Sequence, residues 1–294
     1  MEIKMKRIVI LGCENSHADQ FLNFIKKNAE FSDVEVVGIY SDEIAPAERL
    51  AKIFNLKVME SYDSAVGQVD GVIITARHGD NHLKYAHPYI ESGVPMFIDK
   101  PITIKEEEAI ELGRLLKNAS VKVSGGSSLA KERFVCRLAD DVGNETDGKT
   151  LGGFVRAPMN ADEKYGGFYF YAQHLTEMVM KIFGRYPESV RATEYPDRIN
   201  VTFFYKDYEV SGLFVYNNYL YYAARYAENG NVGENISLSG NNCFYNEFME
   251  FYKLLSGEEQ QISYEDFIAP VFVMNAICRS MDSGTEEKVK RFSI

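Results

Sequence analysis

Through the first 122 residues, apolar positions come in short unbroken runs, "RIVILG", "VEVVGIY", "GVIITA", "PMFID" and, at the end, "VKVSG". Between them, segments 16–28, 45–54, 80–92 and 105–118 repeat their apolar residues every three or four positions. Strands that are apolar on both faces must be covered on both faces, so the alternation predicts a parallel sheet wound with helices on each side. From about Leu151 the pattern changes to the in-out alternation of "NVTFFYKD" and "YEVSGLFVYN", with Lys206 and Asp207 placed to turn a hairpin. Helical spacing returns at 128–141, 171–183, 243–255 and 266–282, the last stopped by Ser283-Gly284. The expectation is an α/β chain: a doubly wound domain over 1–122, then an α+β domain on a mostly antiparallel open sheet over 123–294. With no repeat, low-complexity tract or Pro-rich linker, the two should share an interface, and a cleft there is the default ligand site.

Composition narrows the function. The 294 residues are 46% hydrophobic and 26% charged, an ordinary soluble balance. A formal net charge of -11 without a basic run argues against nucleic acid and for small molecules. No apolar stretch is long enough for a membrane span, and the N-terminus runs into strand pattern without a cleavable signal, so the expected location is the cytoplasm. Cys13, Cys136, Cys243 and Cys278 form no C-x-x-C pair; they read as buried thiols rather than disulfides or metal ligands.

The candidate chemistry begins at "VILGCENSHADQFLNFI", residues 8–24. Ser16 and Asp19 match a capping box, which would start a helix near His17 and bury Phe21, Leu22 and Ile25. In a dinucleotide site the free N–H groups of such a turn hold the diphosphate, one glycine allows the turn and a second lets the phosphates approach. Gly12 meets the first need; Glu14 stands where the second glycine would be. Either the loop turns Glu14 outward and Asn15 and Ser16 donate to phosphate, or the Glu14 carboxylate occupies the anion site itself. A third reading is a capped turn with no ligand. His17 is a compensating cation for phosphate or a surface residue. Ser41 and Asp42 close the second strand, where an acid accepts from adenosine ribose hydroxyls and repels a 2′-phosphate. That favours NAD over NADP, unless Asp42 only caps the next helix.

The stretch "GVIITARHGDNHLKYAHPYIESGVPMFIDKPI" resembles the glucose-fructose oxidoreductase and inositol dehydrogenase family (Gfo/Idh/MocA). Thr75, His82, Gly93 and Asp99-Lys100-Pro101 stand for the family's strand end, loop histidine, helix-ending glycine and E-K-P tripeptide. "EKYGGFYFYAQHLTEM", "FYNEFMEFYKLLSGEEQQISYED" and "MNAICRSMDSG" are similar to its later helices, so the likeness covers almost the whole chain. The resemblance implies a Rossmann domain, an α+β domain whose open sheet supports a homo-oligomer, and NAD(P)-linked chemistry on a sugar, polyol or similar hydroxy compound. It makes Lys100 the donor beside the nicotinamide and His174 the general acid and base. Asp99 accompanies Lys100 in the cofactor set with Gly12, Glu14, Asn15, Ser16, Ser41, Asp42, Thr75 and His82. Glu177, one turn beyond His174, is placed to accept from its imidazole. Where many members carry Asp, four residues before His174, this chain has Phe170; Tyr165, Tyr169 and Tyr171 offer rings and hydroxyls instead, with Tyr165, Tyr171 and Glu177 taken as substrate residues.

Two functions follow. One is an NAD(P)-dependent oxidoreductase of a small hydroxyl or carbonyl compound. The other is a non-catalytic ligand-binding or regulatory protein on the same scaffold, its phosphate loop impaired by Glu14. A metal-dependent isomerase would need more ligands than His174 and Glu177.

Overall fold

The structure, a computed structural model, describes residues 4–238 and 242–294. Five parallel strands, β1 (Lys6–Leu11), β2 (Val34–Tyr40), β3 (Gly71–Ile74), β4 (Met96–Asp99) and β5 (Val123–Gly126), lie in the order β2-β1-β3-β4-β5. This is the expected doubly wound arrangement, and its sheet includes β5, four residues past Lys122. The unbroken apolar runs have the anticipated cause: successive side chains point to opposite faces and both faces are dry. Ile8, Ile10, Ile39, Ile73 and Phe97 pack toward helices α1 (Ser16–Lys27) and α2 (Ile44–Phe54). Val9, Leu11, Val72, Ile74 and Ile98 pack toward α3 (Asp80–Ile90) and α4 (Glu106–Asn118).

Past a 3-10 turn at Ser128–Lys131 and α5 (Arg133–Gly143), the second sheet begins. Its strands are β6 (Thr150–Met159), β7 (Ser189–Tyr195), β8 (Arg198–Phe204), β9 (Glu209–Tyr216), β10 (Tyr221–Ala227), β11 (Asn231–Ile236) and β12 (Glu287–Lys288). They order as β11-β10-β6-β9-β8-β7-β12, antiparallel except for the β6–β9 pair. The β8–β9 hairpin closes through Tyr205–Tyr208 around the expected turn. Inward residues Val201, Phe203, Val210 and Phe214 meet α6 (Tyr169–Phe183), which is buried nearly all round. Gly212 lets α6 approach, since a Cβ there would lie 2.8 Å from the Phe203 ring and 3.1 Å from Leu175.

Two late helices return to the first sheet. From α7 (Cys243–Leu255), Phe248 and Phe251 enter the same cluster as Ile8, Phe21 and Phe97. The helix α8 (Tyr264–Ser283) packs between α4 and β7. Burying two phenylalanines is worth about 2–3 kcal/mol each, so α7 is as much a part of the Rossmann core as α1.

Candidate functional site

The opening turn shows what became of the phosphate loop. Gly12 has φ 93°, and a Cβ on it would sit 2.2 Å from the Ala76 nitrogen, so only glycine permits this closeness to the end of β3. The helix cap lies one residue earlier than expected: Asn15, not Ser16, is the N-cap, its Oδ1 accepting from the His17 N–H at 3.2 Å. The anticipated box partner Asp19 instead pairs with Arg49.

Of the two readings of Glu14, the inward one is realised. Its Oε2 accepts from the Cys13 N–H at 2.8 Å and the Ser41 hydroxyl at 2.6 Å, and its Oε1 accepts from the Arg77 N–H at 3.0 Å. One carboxylate thus gathers donors from the ends of three neighbouring strands, which is how a bound anion would be held.

His17 is buried rather than a surface residue. Its Nδ1 lies 2.6 Å from Asp99 Oδ2, and that same oxygen accepts from Asn15 Nδ2 at 2.6 Å. Asp99 Oδ1 takes the Lys100 N–H at 2.7 Å. Burial alone would raise the Asp99 pKa, but the charges of His17 and Lys100 outweigh it and hold the carboxyl below its ordinary range.

These residues wall a cleft of about 470 Å³ between the two sheets. The Rossmann side supplies Asn15, His17, Arg77 and Lys100; the other side supplies Phe170, Tyr171 and His174 from α6, with Tyr219 and Tyr221 beyond. The Lys100 ammonium, 4% exposed, sits over the Phe170 ring at 4.5 Å and reaches the Phe170 carbonyl at 3.4 Å. Burial lowers its pKa, opposed by Asp99. His174 Nδ1 shares a hydrogen bond of 2.7 Å with Ser127 Oγ. Burial, then the charges of Lys100 and His17, push its pKa well below 6.5, so the imidazole is neutral.

The remaining candidates are placed differently. Glu177 does not bond His174: it accepts from the Ser127 N–H at 3.1 Å and from Gln173 Nε2, behind the cleft wall. The i, i+3 spacing put it on the right side of α6, but β5 approaches that side at Gly126, where a Cβ would lie 2.6 Å from Glu177 Oε1. Thr75 and His82 are fully buried; Thr75 donates to the Gly12 carbonyl at 2.6 Å, and His82 lies between the Ala76 and Ile102 carbonyls. Asp42 stands at the end of β2, accepting from the Tyr40 hydroxyl at 2.6 Å and Lys84 at 3.2 Å. Tyr165 donates to Glu43 at 3.1 Å and stacks under Arg77, outside the cleft wall; Tyr169 bonds Asn275. Ser16 and Tyr171 line the cleft.

Sequence reasoning missed Arg77, Ser127 and Glu247. Arg77 had a signal, a lone cation directly after "GVIITA" at the strand end where ligands sit. The other two had none: a serine after a strand and a glutamate in an amphipathic helix are ordinary. Yet neither carboxyl oxygen of the fully buried Glu247 has a hydrogen-bond partner. Burial, then the negative charge of Asp99, raises its pKa well above 4.5.

A doubly wound domain and an α+β domain meet over a cleft that holds a lysine from one and a histidine from the other, the arrangement of two-domain proteins built on a Rossmann fold. Residues 6–127 match the Gfo/Idh/MocA model, described as an oxidoreductase family with an NAD-binding Rossmann fold. No curated protein matches the sequence. Among solved structures, a putative myo-inositol dehydrogenase from Sinorhizobium meliloti superposes at TM-score 0.82 and 17% identity, covering 97% of this chain and 100% of that one. A myo-inositol dehydrogenase from Corynebacterium glutamicum gives 0.82 at 18%, covering 98% and 100%. The WlbA dehydrogenase from Chromobacterium violaceum, in complex with NADH and UDP-GlcNAcA, gives 0.78 at 13%, covering 100% and 98%. The likeness is one of fold over both domains.

Towards a dinucleotide the residues are of two kinds: the Lys100 ammonium has one hydrogen-bond partner, the Phe170 carbonyl, and could take another, whereas the turn donors that would hold a diphosphate are occupied by Glu14.

Proposed function

We propose that the protein is an NAD-dependent oxidoreductase that moves a hydride to or from a small hydroxyl or carbonyl compound, with Lys100 and His174 handling the proton. The reading is carried by one observation: an ammonium and an imidazole from different halves of the molecule wall the same cleft. The nicotinamide, when bound, supplies the hydride donor or acceptor. Lys100 donates to the substrate oxygen, and its ordered backbone, tied to Asp99, fixes where that donor points. Neutral His174 takes the hydroxyl proton as charge develops, or returns it in the reverse direction. Ser127 fixes the orientation of its ring. Asp42 at the end of β2 supports NAD over NADP.

Sugar or polyol derivatives are the substrate class supported by neighbours named as inositol dehydrogenases. We place the protein in the cytoplasm as a homo-oligomer formed through the outer face of the second sheet. The Glu14 contacts favour a second reading, a ligand-binding protein that no longer takes dinucleotide. Titration with NADH and NADPH, followed by nicotinamide fluorescence, separates the two. Saturable binding, tighter for NADH, is expected; no binding of either would leave only the second reading.

A further inference from the structure

The chain carries 43 acidic and 32 basic residues, yet among the described residues that wall the cleft there is no aspartate or glutamate. Its ionisable members besides tyrosine are Arg77, Lys100, His17 and His174. Nearby acids are spent elsewhere: Asp99 on His17 and Asn15, Glu14 on backbone N–H groups and Ser41. Among the described residues, no carboxylate pairs with the Lys100 ammonium or the Arg77 guanidinium, and the buried Arg77 Nε has no hydrogen-bond partner. The guanidinium is instead held between the rings of Tyr165 at 4.9 Å and Phe170 at 5.4 Å, fixed in place with its donor edge unspent. A desolvated guanidinium nitrogen without a partner, beside a buried ammonium that no carboxylate touches directly, is relieved when the ligand brings negative charge.

We infer that the substrate is an anion: a small hydroxy or keto compound whose carboxylate or phosphate is gripped by Arg77 while its reacting oxygen lies at Lys100. This rests on the oxidoreductase reading and deepens it. Guanidinium and oxyanion pair through two parallel N–H···O bonds, which set orientation as well as affinity. Phe170 stands where a substrate-binding carboxylate was expected, consistent with a ligand that a carboxylate would repel. Tyr171 and Phe244 offer ring faces for the carbon skeleton.

Calorimetric titration of the full chain, without dinucleotide, compares glucuronate and glucose 6-phosphate with glucose and myo-inositol. At least one anion should bind about tenfold or more tightly than both neutral compounds, the gap a charge-assisted pair supplies. In Arg77→Met the gap should close while NADH affinity is unchanged, and Arg77→Lys should restore part of it. Equal binding of neutral and charged compounds, or no saturable binding of either anion, overturns the proposal. So does an Arg77→Met variant that loses NADH or ADP affinity as fully as anion affinity, because the cation then serves the cofactor's diphosphate. If Arg77→Met fails to fold, the wild-type comparison and competition of each anion by ADP decide the matter. Failure of NADH to bind sinks the oxidoreductase reading separately and leaves the anion titration readable.

Discussion

At Glu14 a single side chain does the work of a ligand. The carboxylate satisfies two backbone donors and a hydroxyl, so removing it unpairs them, at about 1–3 kcal/mol in stability. The same removal frees the donors that a diphosphate needs. Glu14→Gly should therefore lower the midpoint of urea unfolding while tightening NADH about tenfold or more, the value of one or two charge-assisted bonds. Unchanged affinity would mean that the dinucleotide never meets this carboxylate. At His174 the depressed pKa has a kinetic consequence. A group whose pKa is lowered keeps its base form as pH falls through 6.5, so the acid limb of kcat/KM that it sets should lie below pH 6.5. His174→Gln should cut kcat by about 10²–10⁴ and leave NADH affinity alone. An acid limb above 6.5 would assign the proton to another group. At this scale the sequence could pose the Glu14 alternatives but not choose, because the choice is made by Ser41 and Arg77, 27 and 63 positions away. Likewise Ser127 reaches His174 across 47 positions, beyond any helical spacing rule.

Among the elements, α7 carries the largest surprise. Its apolar spacing identified the helix and its ends, but not that Phe248 and Phe251 would fill the face of β1–β4 beside α1, because amphipathicity states that a face is buried and never against what. Phe248→Ala should destabilise the first domain by about 3–5 kcal/mol through the cavity it leaves, read from denaturant unfolding followed by tyrosine fluorescence. A loss below about 1 kcal/mol would show α7 to be loosely docked. The same helix buries Glu247 without partners, and the sign of its effect follows from the raised pKa. Below the unfolded-state value of 4.5 the carboxyl is protonated in both states; as pH rises toward the folded value, only the unfolded chain releases the proton and stability is lost. Glu247→Gln lacks this loss. Its unfolding free energy relative to the unmodified chain should climb above pH 4.5 by up to about 1.4 kcal/mol per pH unit. A flat difference from pH 5 to 8 would show that Glu247 is solvated or paired. The four Rossmann crossovers and the β8–β9 pair were legible because period and turn chemistry are local signals. The parallel pairing of β6 with β9 was not, since it joins strands far apart in the chain.

For the whole molecule, the second sheet has two unlike faces. Its inner face is sealed by α6, while the outer face presents Phe154, Arg156, Tyr222 and Leu213 along β6, β10 and β9, partly exposed and in adjacent registers. Phe154 and Tyr222 touch each other at 6.0 Å between ring centroids, so this is a continuous patch rather than scattered residues. In the homo-oligomer we propose, a second copy of the same surface would cover this face. The net charge of -11 per chain would oppose such association at long range, so a contact made through this patch should strengthen as salt screens the repulsion. Sedimentation equilibrium should give a multiple of the 33.4 kDa chain mass, and Phe154→Lys with Tyr222→Lys should shift the population to single chains. The altered chain should still bind NADH, because neither residue lines the cleft. A single-chain mass for the unmodified protein at both low and high salt would refute the assembly and leave the cleft chemistry untouched.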